Sequence, residues 1–459
     1  MAQPFFRHVQ NALMQWKNGA GRKPLVIRGA RQVGKSTLVH QFSSNYKQTI
    51  ALNLERETHV RYFKDFSDVT TLVQAIFTKH SISFGQLSET LLFLDEIQES
   101  PKAIALLRYF YEDLPGLHVI AAGSLLEHAL GGVKNFPVGR VQYLYLHPFN
   151  FFEFLKAKGH QGALDAMAQV PVPHYAQATL LELFNEYAII GGMPEVVQRY
   201  LEHDSLPDLA IVYENIWETY KNDVEKYARN ASERKIIKHI MATAHRYLDQ
   251  RVKFQNFGSS NYKSREVGEA FRNLDDAKVI QLVHPCTNLE PPVQTDYKKS
   301  PRLQFLDTGL VNYDLNIQAD MLAMKDLSTS FRGAIIPHLV TQELVSLNVF
   351  SNKKPHFWVR EKTQSSSEVD LVYPHKNLLI PIEIKSGKVG KLRSLHQFVE
   401  RAPHPYAVRM YGGEFSVERQ KTASGKPFYL MNLPYYLTTR LEDYIAYFIK
   451  RCEQGPNGQ

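Results

Sequence analysis

Cysteine is almost missing from this chain: 459 residues hold two, Cys286 and Cys452. They stand far apart and without metal-ligand spacing. That argues against a disulfide framework and fits a reducing cytoplasm, the expected location. Long apolar runs are missing as well. None approaches the roughly 18 residues of a membrane-spanning helix, so no membrane partner is expected. A phosphate-loop pattern begins at residue 29, and no signal peptide is expected ahead of it. Hydrophobic residues still make up 44% of the chain. That is enough for several buried cores, and the length suits two or three domains. Charge is unbalanced, with a net +8 and an isoelectric point near 9.1. A basic excess is compatible with nucleic acid, and a merely soluble basic protein is an equal reading of charge alone.

What is present starts with Gly29-Ala30-Arg31-Gln32-Val33-Gly34-Lys35-Ser36, the pattern G-x-x-x-x-G-K-S. The apolar run Pro24 to Ile27 before it reads as a buried strand, and Ser36 to Phe42 after it as a helix. Strand, glycine loop and helix in that order form a phosphate cradle, with backbone N–H groups and the helix N-terminus facing the anion. Lys35 is placed to reach the β- and γ-phosphates of ATP. The Ser36 hydroxyl is placed to hold Mg²⁺, and Thr37 completes the nucleotide-binding set. Leu91-Leu92-Phe93-Leu94-Asp95-Glu96 is an apolar strand ending in two carboxylates. Asp95 suits a water-mediated contact to Mg²⁺, which prefers one or two carboxylates plus phosphates. Glu96 suits orienting and deprotonating the attacking water.

Strands are expected at 24–28, 49–54, 90–95, 117–122 and 141–146. Helices between them imply a parallel α/β sheet. Ser124, after the fourth strand, reads equally as a γ-phosphate sensor or as a helix N-cap. Arg140, after Pro137-Val138-Gly139, reads as an arginine that stabilises phosphoryl charge in cis or toward a neighbouring subunit, or as a surface ion pair. From about 150 to 260 the pattern is mostly helical, with an aromatic stripe at Phe151, Phe152, Phe154 and Leu155 that reads as core. Gly191-Gly192-Met193-Pro194 forces a tight turn, either touching the nucleotide base from a helical lid or joining two helices. Residues 232 to 310 have the order of a winged helix: helices at Ser232–Leu248 and from Ser264, strands at Val279–Val283 and Arg302–Leu306, and a wing at Asn288–Lys299. Arg265 and Arg272 on the second helix suit DNA, but Glu266, Glu269, Asp275 and Asp276 favour a packing or lid role.

Beyond about 331 the order is helix, three strands, helix, strand. Glu343 lies on the first helix, Asp370 on the second strand, and Glu383-Ile384-Lys385 closes the third. Alternate strand residues share a face, so Glu383 and Lys385 point together and Asp370 can meet them. Two carboxylates bind a divalent metal that activates water and clamps a phosphate. Lys385 would position or activate that water. Glu343 could add a carboxylate, and Gln397 a contact to water or substrate. Alternating charge on an exposed sheet face is the plain alternative.

At these residues the chain resembles prokaryotic AAA-type P-loop ATPases that carry a C-terminal domain of unknown function. Besides the nucleotide motifs, the resemblance rests on Gly191 to Glu195, Phe305 to Leu310, Glu368 to Asp370 and Glu383 to Lys385. It implies an α/β fold with an AAA-like core at 1–160, a helical lid at 161–230 and a winged-helix-like domain at 231–325. A restriction-endonuclease-like PD-(D/E)xK domain would follow at 326–459. The implied catalytic residues are Lys35, Glu96, Asp370, Glu383 and Lys385. The implied metal ligands are Ser36 and Asp95 for Mg²⁺ with ATP, and Asp370 and Glu383 for a second Mg²⁺ or Mn²⁺, to which Glu343, read from its place on the helix, is added. The leading expectation is ATP hydrolysis coupled to action on DNA, with a homo-oligomer as a further partner. The alternative is an ATP-dependent signalling or scaffold switch whose C-terminal domain only binds a partner.

Overall fold

Leu25, Val26 and Ile27 are buried on both sides, and that continuous apolar run places β1 (Leu25–Arg28) inside a sheet rather than at its edge. The structure, a computed structural model, describes residues 5–124, 137, 139–203, 207–318, 321, 332–362, 365–385 and 392–454. The described residues divide into two units. One is residues 1–147 with 276–279 and 348–352; the other is the remainder.

The first unit is built on five parallel strands: β1, β2 (Gln48–Asn53), β3 (Thr90–Asp95), β4 (His118–Ala122) and β5 (Gln142–Tyr145). Their order is β2-β3-β4-β1-β5. These are the five strands the apolar runs indicate, within a residue or two at each end. Leu91, Leu92, Phe93 and Leu94 of β3 are each at most 1% exposed. Each such side chain contributes roughly 1.5–3 kcal/mol relative to exposure. The excursion at 348–352 belongs here because Tyr145 N–H on the edge strand donates to the Val349 carbonyl at 2.8 Å. The helix Pro101–Glu112 begins with proline in its first turn and Ser100 as N-cap.

The second unit opens with helices at Phe151–Ala157, Gln161–Ala168, Gln177–Ile190, Pro194–His203 and Ala210–Tyr227. Two more, Ala231–Thr243 and Ser264–Asp276, lead into an antiparallel pair, β6 (Ile280–Val283) with β8 (Arg302–Phe305). A mixed seven-stranded sheet follows. It contains β7 (Pro285–Cys286), β9 (His356–Lys362), β10 (Ser365–His375), β11 (Leu378–Ile384), β12 (Tyr406–Tyr411), β13 (Ser416–Lys421) and β14 (Pro427–Pro434). Its order is β13-β14-β12-β11-β10-β9-β7. The helix Arg332–Ser346, a helix at Arg393–Arg401 and a final one at Leu441–Glu453 accompany it.

The segment expected as a wing, 288–299, is packed down. Just before it, β7 pairs with Phe357 and Trp358 of β9. Trp358 Nε1 donates to the Thr287 carbonyl, Thr295 Oγ1 meets His356 Nε2 at 2.8 Å, and Leu289 and Val293 cover the core beneath. Apolar residues spaced through a turn-rich stretch gave it a surface to bury.

Candidate functional site

The loop after β1 depends on backbone shapes that side chains resist. Gly29 has φ +156°, and a Cβ there would sit 2.3 Å from the Leu146 carbonyl oxygen. Gly34 has φ 91° and starts the helix Lys35–Ser43, which has no side-chain cap and no acid in its first turn. A helix N-terminus left this way is a ready receptor for an anion. Lys35 is 8% exposed, and its ammonium donates to the carbonyls of Gly29 at 3.0 Å and Ala30 at 2.7 Å. Of the other loop residues, Ala30 and Val33 are buried, Arg31 is half-buried and Gln32 takes φ 61°. Thr37 is exposed.

At the end of β3, Ser36 Oγ donates to Asp95 Oδ2 at 2.8 Å. Burial raises the Asp95 pKa, opposed by the Ser36 bond and reinforced by neighbouring Glu96. A half-buried carboxylate held against a hydroxyl is a fitting pair for a cation, so the residues suit Mg²⁺. Glu96 takes a left-handed backbone, φ 50°, and its carboxylate accepts from Gln98 Nε2 at 2.5 Å. Ser124 follows β4, is 5% exposed, and its Oγ has no hydrogen-bond partner among the described residues. A buried orphan hydroxyl beside a phosphate loop fits a missing acceptor.

Arg140 is not part of this group. It precedes β5, at the edge of the sheet opposite the loop, and its Nε donates to Glu112 at 3.0 Å in an exposed pair. Parallel strands put the loop and both carboxylates at their C-terminal ends, so an arginine at a strand's N-terminal end does not reach them within one chain. Val138 beside it lies outside the described residues. Sequence reasoning also missed Arg7. Its buried guanidinium donates to Val33 O at 2.9 Å and His147 O at 2.5 Å, tying the loop to the end of β5. No motif marks it.

In the second unit Asp370, Glu383 and Lys385 do come together. β10 and β11 pair antiparallel with Leu371 opposite Ile382, a register that sets Asp370 opposite Glu383. Asp370 Oδ2 accepts Ile384 N–H at 2.8 Å, and Lys385 Nζ donates to Glu383 Oε1 at 2.6 Å. Burial, with Asp370 alongside, pushes the Glu383 pKa up to about 7. Arg302 enters the same cluster from β8 and donates to Glu368 and Asp370. Asp249, buried beside it, is pushed up to about 7 by that burial, against the pull of Arg302.

A second divalent metal does not fit this set, because Arg302 and Ile384 N–H already answer both oxygens of Asp370, and Lys385 answers one of Glu383. Among the described residues no group of three or more His, Cys, Asp and Glu side chains is placed to hold a metal ion. Glu343 is a further correction. It is 1% exposed, accepts Phe151 N–H at 3.1 Å and receives Tyr187 OH at 2.7 Å, so it serves the start of the helix Phe151–Ala157. Burial raises its pKa to about 8. Gln397 is placed on Arg360, 3.3 Å away.

The turn at Gly191-Gly192 is likewise used inside its own unit. A Cβ on Gly192 would lie 2.0 Å from Phe149 O, and Asp307 Oδ2 receives Gly192 N–H at 2.6 Å. Gly309 is pressed against Ile190 O in the same way. The two motifs, Gly191-Gly192-Met193-Pro194 and Asp307-Thr308-Gly309-Leu310, therefore meet each other. Asp307 is buried, which lifts its pKa to about 6 against the N–H groups of Gly192, Leu310 and Gly309.

A phosphate loop and a strand-end Asp-Glu pair on a parallel sheet are the parts of a P-loop nucleotide-binding domain. Residues 21–155 match the AAA domain family, residues 181–321 a domain of unknown function (DUF8612), and residues 332–436 another (DUF4143). The matched segments are thus an AAA domain followed by two domains of unknown function. No match is found among curated proteins. Among solved structures, the chain is similar to the Walker-type ATPase PABY2304 of Pyrococcus abyssi, at 16% identity and TM-score 0.44. The overlap covers 69% of this chain and 99% of that one. It also overlaps the RuvB Holliday junction branch migration motor of Thermotoga maritima, at 17% identity and TM-score 0.27, over 64% of this chain and 93% of that one. Neither overlap is close enough to carry a functional argument.

Among the described residues no helix is long and apolar enough to cross a membrane.

Proposed function

We propose that the chain hydrolyses ATP with Mg²⁺ through Lys35, Ser36, Asp95, Glu96 and Ser124. The observation that carries this is the 2.8 Å contact of Ser36 with Asp95, next to a lysine ammonium resting on the loop's own carbonyls. When ATP binds, Lys35 exchanges those carbonyls for β- and γ-phosphate oxygens, and the Gly34–Ser36 amides face the same charge. Ser36 and Asp95 would hold Mg²⁺, which supplies neutralisation of the phosphate charge. Glu96 orients the attacking water and accepts its proton. Ser124 Oγ donates to a γ-phosphate oxygen. Steady-state phosphate release tests this. Lys35→Ala should abolish turnover by removing productive nucleotide binding, and turnover that survives it would sink the reading.

A second reading is favoured by the convergence of Asp370, Glu383 and Lys385 on adjacent strands. On it the C-terminal sheet is a restriction-endonuclease-like domain, the region from Ala231 to Phe305 is winged-helix-like, and ATP turnover is coupled to DNA. DNA should then change the turnover rate. Turnover indifferent to every nucleic acid would move the weight to an ATP-driven switch with a partner-binding C-terminal domain.

A further inference from the structure

We propose that the Arg302 guanidinium is the resident cation of the Asp249–Glu368–Asp370 cluster and keeps divalent metal out of it. This deepens the second reading above and rests on it: such a domain would hold its substrate without cutting it while Arg302 is seated.

Arg302 is a built-in ligand. Its side chain is 9% exposed. Nε and Nη2 both donate to Glu368 Oε1, the first at 2.9 Å. Nη2 also donates to Asp370 Oδ1 at 3.2 Å, and Nη1 to the Asp370 carbonyl at 3.3 Å. Asp249 Oδ1 stands 3.7 Å from Nη1, and the Phe357 ring lies 4.7 Å below the guanidinium carbon. Planar fork, carboxylates and aromatic face match what arginine, rather than lysine, is suited to meet.

The remaining valences are also taken. Asp370 Oδ2 holds Ile384 N–H, and one oxygen of Glu383 holds Lys385. Glu383 Oε2 is the buried exception, without a partner among the described residues. A dication approaching Asp370 would meet a fixed positive charge at hydrogen-bond distance from the same oxygen. Arg302 lies on β8, whereas Glu368 and Asp370 lie on β10. The guanidinium that bonds Asp370 therefore comes from a different element and is removable by a single substitution, while Arg251, 3.7 Å from Glu368 Oε2, stays.

The test is Mn²⁺ binding to the full chain without nucleotide, followed by the paramagnetic resonance of free Mn²⁺. Wild type and Asp370→Asn should take up the same amount. Arg302→Met should gain a Mn²⁺ site that Arg302→Met with Asp370→Asn loses, and metal-dependent DNA cleavage would appear only with that gain. A wild-type site lost in Asp370→Asn overturns the proposal. So does a folded Arg302→Met that gains nothing. If Arg302→Met does not fold, wild type against Asp370→Asn decides alone. A Mn²⁺ site gained by Arg302→Met without any DNA cleavage would uphold the proposal and count against the nuclease-like reading.

Discussion

Two sets of strand carboxylates divide this molecule. Asp95 and Glu96 end β3 of the first unit with a serine hydroxyl and a glutamine amide for company. Asp370 and Glu383 sit on β10 and β11 of the second with a guanidinium and an ammonium. Both sets pair an aspartate with a glutamate on or just after a strand. What differs is how the chain supplies the counter-charge: the Lys35 ammonium acts on Asp95 through space, while its hydrogen bonds come from a hydroxyl and a backbone N–H, whereas Arg302 donates to Asp370 directly. A carboxylate hydrogen-bonded by neutral donors is open to an outside cation, and one held directly by a buried guanidinium is already met.

The largest effect that could break this contrast comes at Glu96. Glu96→Gln keeps shape and removes the base, so turnover should fall roughly 10²- to 10⁴-fold while nucleotide binding survives. Rapid-quench and binding measurements separate the two, and normal turnover would show that the open carboxylate is not the base.

The second effect sharpens the buried side of the contrast. Glu343 and Asp307 are raised above the ordinary carboxylate range, to about 8 and about 6, chiefly by burial. Their folded forms hold protons that the unfolded chain releases. Their contribution to stability is therefore complete below the ordinary carboxylate pKa and declines as pH rises through these values, by at most about 1.4 kcal/mol per pH unit for each group. Melting temperature should fall as pH rises from about 4.5 to about 8, with Asp307 contributing only up to about 6, and Glu343→Gln should flatten the upper part of that fall because the amide has no proton to lose. An unchanged slope in Glu343→Gln would place the titration elsewhere.

The smallest effect concerns Arg140. Its pair with Glu112 is exposed and screened by solvent, and Arg140→Ala should leave stability nearly unchanged and alter turnover by less than about twofold. A large loss of turnover that grows with protein concentration would instead assign the arginine to a neighbouring subunit.

Much of the first unit was legible because buried parallel strands announce themselves as unbroken apolar runs between turn signals. The loop was legible because glycine spacing encodes its backbone. That Asp370 could meet Glu383 was legible from strand alternation, and the register that sets them opposite is a tertiary fact. What stayed hidden depends on residues far apart in the chain. Arg7 reaches a carbonyl 140 positions away, and Arg302 a carboxylate 68 away, with no local pattern to mark either. Glu343 looked like a ligand because its helix precedes the strands. Its burial against Phe151 and Tyr187 is a tertiary fact. β13, with Ser-Val-Glu-Arg-Gln-Lys, has one apolar residue and is held in place by β14, so propensity had nothing to read.

The most direct test of the contrast is a Mn²⁺ titration of the protein with ATP present, comparing wild type, Asp95→Asn and Asp370→Asn by the resonance of free Mn²⁺. The expected result is a tight nucleotide-dependent site that Asp95→Asn weakens and Asp370→Asn leaves intact. A site that Asp370→Asn abolishes and Asp95→Asn spares would contradict the account.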